Sequence, residues 1–150
     1  MPNKLRVGIA GYGVVGRRRR GVIDQNPRLE TVAVSDKLLP EGILDDGVRC
    51  YSDAYSLMTE NLDILFVSLP NDLAPKVTIE GLERGCHVFC EKPPGRNLED
   101  IISVIRIERN HPNQKLKYGF NHRYHDSVGE AMKMIKSEKL GDLINLRGVY

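Results

Sequence analysis

LRVGIAGYGVVG, residues 5–16, carries the strongest structural signal in this chain. Its apolar start predicts a strand over 5–10, and a GxGxxG pattern at the entry to a helix follows. Gly11 permits a tight turn, Gly13 lets the backbone approach a pyrophosphate, and Gly16 lets the helix pack close to the strand. Free N–H groups and the helix dipole at that point favour an anion. The stretch therefore predicts a dinucleotide-binding turn, and a purely structural glycine-rich turn is the alternative.

An acidic residue further along the chain strengthens this interpretation. Asp36 lies 20 residues after Gly16, directly after a strand predicted over 31–35. An acid at about this distance can accept hydrogen bonds from the adenosine ribose. Its carboxylate repels a 2′-phosphate, which favours NAD, whereas the neighbouring Lys37 would tolerate NADP. We therefore expect NAD as the cofactor and keep NADP as the alternative.

Composition describes an ordinary globular chain. Its 150 residues suit one domain, and 41% hydrophobic with 28% charged residues is typical of a soluble protein. The net charge of +2 predicts no general affinity for nucleic acid. No apolar run approaches the roughly 20 residues that cross a bilayer, and no signal-peptide core follows Met1. We expect a cytoplasmic protein with no membrane partner.

Three cysteines form no recognisable disulfide pattern. Cys86 and Cys90 would share one face of a strand, about 13 Å apart, which is too far to bridge. We therefore expect buried free thiols. The spacing of Cys86, His87 and Cys90 matches no common zinc pattern, so no metal site is predicted.

Strand and helix patterns alternate along the chain. This rhythm predicts an α/β fold of Rossmann type, with a doubly wound, mostly parallel sheet and helices on both faces. Further strands are predicted over 64–69, 87–90, 115–119 and 143–150, and helices over 14–25, 75–84, 98–109 and 127–139, with a loop over 37–48 and a short helix ending near 60 that Ser52 or Asp53 caps. Because the chain stops within the last of these strands, we expect it to be the first domain of a longer protein.

A charged pair follows the strand over 87–90, where ligands bind in open α/β sheets. Glu91 and Lys92 lie between this strand and two prolines, which restrict the backbone. A lysine held there can polarise a substrate oxygen or contact the nicotinamide ribose. The alternative is a surface ion pair on a rigid turn.

The combined motifs resemble the Gfo/Idh/MocA family of NAD(P)-dependent oxidoreductases. Those motifs are the glycine turn, Asp36, Pro70-Asn71, Glu91-Lys92-Pro93, Gly119-Phe-Asn-His-Arg-Tyr and Ile135-Lys-Ser-Glu-Lys-Leu-Gly-Asp-Leu. The resemblance implies hydride transfer between a substrate C–OH and nicotinamide C4, on sugars, inositols or sugar nucleotides. It implies that Lys92 is catalytic. The predicted cofactor-binding residues are Gly11, Tyr12, Gly13, Val14, Val15, Gly16, Asp36, Lys37, Ser68, Leu69, Pro70, Asn71, Glu91, Lys92, Pro93 and Arg123.

The resemblance also implies what this chain lacks. We expect a dinucleotide-binding domain over residues 1–120, and a last helix and strand over 121–150 that lead into a substrate domain absent from the chain. That second domain usually supplies an Asp and a His, and His122 and His125 are weak substitutes for them. The histidine that often follows the Pro-Asn pair is missing as well. The chain alone is therefore expected to bind cofactor without catalysing a reaction, and the full-length protein to form a homo-oligomer.

Two other functions fit parts of the sequence. A non-catalytic dinucleotide sensor of the same family is the main alternative, although retention of Glu91-Lys92-Pro93 favours catalysis. A two-domain dehydrogenase of amino-acid biosynthesis shares the glycine turn but not the Glu-Lys-Pro turn.

Four consecutive arginines follow the glycine turn. Their positions sweep most of a helix circumference, so at least one should lie against the sheet edge and extend its head to water. For the run Arg17–Arg20 as a whole we expect a solvated face. Attraction of cofactor phosphates is the alternative.

Overall fold

A computed structural model describes residues 3–148. Within them, the strands are β1 Leu5–Ala10, β2 Leu29–Ser35, β3 Gly42–Ile43, β4 Arg49–Tyr51, β5 Ile64–Val67, β6 His87–Cys90 and β7 Leu116–Tyr118. The α-helices are α1 Val14–Ile23, α2 Ala54–Leu57, α3 Ala74–Glu83, α4 Leu98–Asn110 and α5 Asp126–Lys136, and a 3₁₀ helix spans Asn121–Tyr124.

The strands form one sheet in the order β3-β4-β2-β1-β5-β6-β7. All neighbouring pairs are parallel except β3 with β4. This confirms the predicted Rossmann-type α/β fold. The order reverses at β1, which has β2 on one side and β5 on the other. Ligands of such sheets bind at this reversal, outside the carboxyl ends of the strands.

Helices cover both faces of the sheet because side chains alternate along each strand. Val7 and Ile9 of β1 pack with Ile23 of α1 in one apolar cluster. Ala10 belongs to the opposite cluster, with Leu57 of α2 and further residues of α3. Both clusters are continuous and buried, so the strand ends are held on a rigid scaffold.

Strand register brings the loops of the predicted site to one edge. Ala10, the last residue of β1, is paired with Ser35 of β2 and Val67 of β5. Val67 is paired in turn with Cys90, and Cys90 with Tyr118. The segments that follow β1, β2, β5 and β6 therefore emerge side by side.

Several predicted boundaries change. The predicted loop over 37–48 contains the two-residue strand β3, and β4 follows it; both are too short for a periodic pattern to show. Asp53, not Ser52, caps α2 by accepting hydrogen bonds from the N–H groups of Tyr55 and Ser56. This helix ends at Leu57, short of the predicted end.

By their contacts, residues up to Gly119 form one compact unit and those from Phe120 a second. The second unit contains the 3₁₀ helix and α5, and none of its side chains is buried within the described range. The predicted strand over 143–150 is wrong for 143–148, which are irregular; its last two residues lie outside the described part. Alternating apolar residues make a strand only when another strand pairs with them, and no described strand does so.

The three cysteine thiols are free and buried, as predicted. Burial raises the pKa of each thiol above its usual value. Among residues 3–148, no helix is long and apolar enough to cross a membrane.

Candidate functional site

Gly11 turns the chain from β1 towards α1. Its N–H and that of Tyr12 both donate to the carbonyl oxygen of Ser35, at 2.9 and 3.0 Å. The φ of Gly11 is +89°, and a Cβ there would collide with the carbonyl oxygen of Ser68. The turn therefore needs glycine because it lies between the ends of β2 and β5.

Gly16 lets α1 approach β1. A Cβ on it would collide with the carbonyl oxygen of Gly11 and lie 3.3 Å from Cγ2 of Ile9. The residue is buried within the first turns of the helix. Its role is packing, as the sequence predicts.

Gly13 has no such explanation within the protein. It is the N-cap of α1, its φ is −74°, and no side chain caps the helix. A Cβ on Gly13 would meet no described atom within 4 Å. The helix start therefore faces open space, and no side chain of residues 3–148 caps its first N–H groups. This is the cradle that a pyrophosphate requires, so these residues fit a dinucleotide.

The segment after β5 forms the other wall of the crevice. The N–H of Ser68 donates to the carbonyl oxygen of Ala10 at 2.7 Å, and Leu69 lies beside Gly11. The carbonyl oxygen of Pro70 accepts the N–H groups that begin α3, and Asn71 is half-buried. Within residues 3–148 the buried Ser68 Oγ has no hydrogen-bond partner.

Asp36 is fixed at the end of β2. Its N–H donates to the carbonyl oxygen of Tyr51 at 3.0 Å, and its Oδ1 accepts the N–H of Leu38 at 3.0 Å. The carboxylate follows Ser35, the residue that binds the glycine turn. Lys37, next to it, is exposed. The structure thus places an acid where the sequence predicts one.

Glu91 is anchored, whereas Lys92 is exposed. The N–H of Glu91 donates to the carbonyl oxygen of Val67. The Oε1 atom of Glu91 accepts a hydrogen bond from Nε of Arg19 at 2.5 Å. A Cβ on Gly119 would lie 2.6 Å from Oε2 of the same carboxylate, so Glu91 packs directly against this glycine. Lys92 and Pro93 are exposed and joined by a cis peptide bond. The anchored carboxylate holds the turn that carries the lysine.

The expectation of a solvated arginine run is wrong for Arg19 and Arg20. The Arg19 guanidinium lies 5.0 Å from the centre of the Phe89 ring, in addition to its pair with Glu91. Arg20 donates to Tyr12 Oη at 2.8 Å and also contacts Asp24 and Asp46. Glu91, Phe89 and Asp46 lie far from these arginines in sequence, so no local pattern could reveal those contacts, whereas Asp24 is only four residues from Arg20. The expected contact of one arginine with the sheet is made by Arg19.

Arg123, His122 and His125 belong to the second unit. The two histidine rings stack with their centres 4.9 Å apart. Arg123 contacts the ring of Tyr124 within the same unit. Its assignment to the cofactor stays a prediction from the resemblance.

The Arg19–Glu91 pair should contribute measurably to stability. Their side chains are 31% and 14% exposed, so the pair is only partly screened by water. We expect Arg19→Ala and Glu91→Gln each to lower the free energy of unfolding by about 1–2 kcal/mol, and the double variant to cost less than their sum. Urea unfolding of the four chains measures this coupling. Arg18→Ala, an exposed neighbour, is the control; strictly additive effects would show that the pair does not interact.

Comparison with known proteins identifies relatives over nearly the whole chain. The model of the Gfo/Idh/MocA oxidoreductase family, with an NAD-binding Rossmann fold, matches residues 5–120. An inositol 2-dehydrogenase from Corynebacterium glutamicum is 22% identical over 156 residues, covering 100% of this chain and 46% of the relative. A D-glucoside 3-dehydrogenase from Escherichia coli is 29% identical over 145 residues, covering 93% of this chain and 41% of the relative.

Solved structures show the same fold. The myo-inositol 2-dehydrogenase of Lactobacillus plantarum superposes with a TM-score of 0.80 at 28% identity, over 95% of this chain and 44% of that one. The WlbA dehydrogenase of Bordetella pertussis, in complex with NADH and UDP-GlcNAcA, gives a TM-score of 0.83 at 26% identity, over 94% and 42%. This chain spans less than half the length of these relatives.

Proposed function

The chain belongs to the Gfo/Idh/MocA family of oxidoreductases, and we propose that it binds NAD at the glycine turn as the cofactor domain of a dehydrogenase. The observation that carries this proposal is the open face of Gly13. Packing within the protein explains why Gly11 and Gly16 are glycines, but a Cβ on Gly13 would meet no described atom within 4 Å. A ligand backed by helix N–H groups accounts for a glycine there.

Each wall of the crevice has a role in holding the cofactor. The N–H groups at Val14 and Val15 begin α1 and would bind the pyrophosphate. The Asp36 carboxylate, fixed by its own turn, would accept the ribose hydroxyls and disfavour a 2′-phosphate. Ser68 to Asn71 would line the side towards the nicotinamide. On this arrangement NADH binds more tightly than NADPH.

Lys92 is proposed as the catalytic residue of this chain. When bound, NAD supplies the hydride acceptor. The Lys92 Nζ would donate a hydrogen bond to the substrate oxygen and stabilise negative charge that develops there during the reaction. Arg19 and Glu91 hold the turn in place. The main proton acceptor and most substrate contacts would come from a second domain, so the chain alone should bind cofactor without turnover.

The relatives suggest the class of substrate. Those named above are dehydrogenases of inositol and of a glucoside, and WlbA was crystallised with a sugar nucleotide. Inositols, glucosides and the sugar part of a sugar nucleotide are all polyhydroxylated rings with secondary hydroxyl groups. We propose a substrate of this class for the full-length protein, which we also expect to be a homo-oligomer.

A direct titration tests the cofactor proposal. The chain is titrated with NADH and NADPH, and calorimetry gives both dissociation constants. We expect saturable binding of NADH and weaker binding of NADPH. A folded chain that binds neither would overturn the proposal, and tighter NADPH binding would overturn the NAD preference. Substrate-dependent NADH production by the chain alone would overturn its expected inactivity.

A thermal-shift screen of the full-length protein against inositols and sugar nucleotides, with NAD present, tests the substrate class.

A further inference from the structure

A cation lies over the aromatic side chain of the glycine turn. The Arg17 guanidinium is 4.7 Å from the centre of the Tyr12 ring. Tyr12 is 6% exposed, and its hydroxyl is held by Arg20. Its N–H is bound to the carbonyl oxygen of Ser35. Arg17 therefore rests on a fixed platform, although its own side chain is exposed.

This platform lies beside the predicted ribose position. Ser35, which binds Tyr12, directly precedes Asp36. The thiol of Cys50 is buried on β4, and burial is the main reason that its pKa is raised. The charges of Asp36 and Glu41 raise this pKa further, and the charge of Arg17 opposes them.

The acids at this end of the sheet already accept hydrogen bonds. Asp36 accepts a backbone N–H through Oδ1, and Glu41 accepts the N–H and hydroxyl of Ser52. Within residues 3–148, neither Arg17 nor Lys37 forms a salt bridge with an acid. One exposed cation, Lys37, directly follows Asp36, and a second, Arg17, lies over the ring of Tyr12, whose N–H binds the residue that precedes Asp36.

We propose that Arg17 receives the 2′-phosphate of NADP, so that the domain binds both nicotinamide cofactors. The inference rests on the proposed function, since it assumes a dinucleotide at the glycine turn. A planar guanidinium held on a ring is pre-organised for a phosphate, and its charge offsets the repulsion from Asp36. Asp36 still favours NAD, but Arg17 keeps the margin small.

Cofactor titrations of single variants test this role. We expect the original chain to bind NADPH within about tenfold of NADH. Arg17→Ala should weaken NADPH binding about tenfold or more, and NADH binding no more than about twofold. Arg18→Ala removes the same charge from an exposed neighbour and should leave the ratio of the two constants unchanged. Far-UV circular dichroism confirms that each variant is folded.

The outcomes separate the inference from the proposal beneath it. If the original chain binds NADH but NADPH more than about a hundredfold more weakly, the inference falls and the NAD-binding proposal stands. An equal loss of both cofactors in Arg17→Ala would show general attraction to phosphate and overturn the inference. So would an Arg17→Ala ratio identical to that of Arg18→Ala. A folded chain that binds neither cofactor overturns the proposed function itself.

Discussion

A Gly13→Ala chain is expected to fold as the original does and to lose most of its affinity for NADH. The new methyl group would meet no described atom within 4 Å, and the φ of −74° is open to alanine. The cost in stability should stay below about 1 kcal/mol, the size of a helix-cap change. The methyl would, however, occupy the space proposed for the pyrophosphate. We expect NADH binding to weaken by at least about tenfold, measured by calorimetry beside a thermal melt.

Gly16→Ala provides the matched contrast. The same methyl group would collide here with the carbonyl oxygen of Gly11 at the packed junction of α1 and β1. We expect a loss of about 3 kcal/mol or more in the free energy of unfolding. If Gly13→Ala binds NADH as tightly as the original chain, the pyrophosphate does not lie at this helix start. A marked loss of stability in Gly13→Ala would contradict the open space described here.

Lys92→Ala in the full-length protein should lower turnover by at least about 100-fold while changing NADH affinity by no more than about threefold. The lysine is exposed on a turn that Glu91 anchors, so its removal leaves the fold and the glycine turn in place. Steady-state kinetics with the substrate identified by the thermal-shift screen gives the turnover, and calorimetry gives the affinity.

A second exposed lysine controls for the loss of charge. Lys76 lies exposed on α3, and Lys76→Ala should leave both quantities unchanged. Equal losses of turnover and of NADH affinity in Lys92→Ala would assign the lysine to cofactor binding alone. Unchanged turnover would remove it from the reaction.

Local patterns predict the elements that organise the sheet. Predominantly apolar stretches mark β1, β5 and β6, and the structure places β6 at the predicted residues, His87–Cys90. Asn97 caps α4 by accepting the N–H of Asp100. These features depend on residues that lie close together in the sequence, so local patterns are enough to predict them.

Features that depend on distant partners escaped prediction. The strands β3 and β4 are defined by pairing with their neighbours, not by a pattern of their own. The contact between Arg19 and Glu91 joins residues 72 positions apart. The segments that follow β1, β2, β5 and β6 carry most of the predicted site residues, and the strand register brings these segments to one edge of the sheet. The sequence pattern does not predict which charged side chains pair with one another at this edge.

The buried thiols give this chain built-in reporters of local opening. A thiol-specific reagent can reach them only when the surrounding structure opens, so each labelling rate measures an opening free energy. Cys50 lies in β4, towards one edge of the sheet. Cys86 directly precedes β6 and Cys90 is its last residue, on the other side of β1. Site-resolved labelling would therefore show which side of the sheet opens more readily. It would also show whether a ligand in the crevice slows labelling on one side or on both.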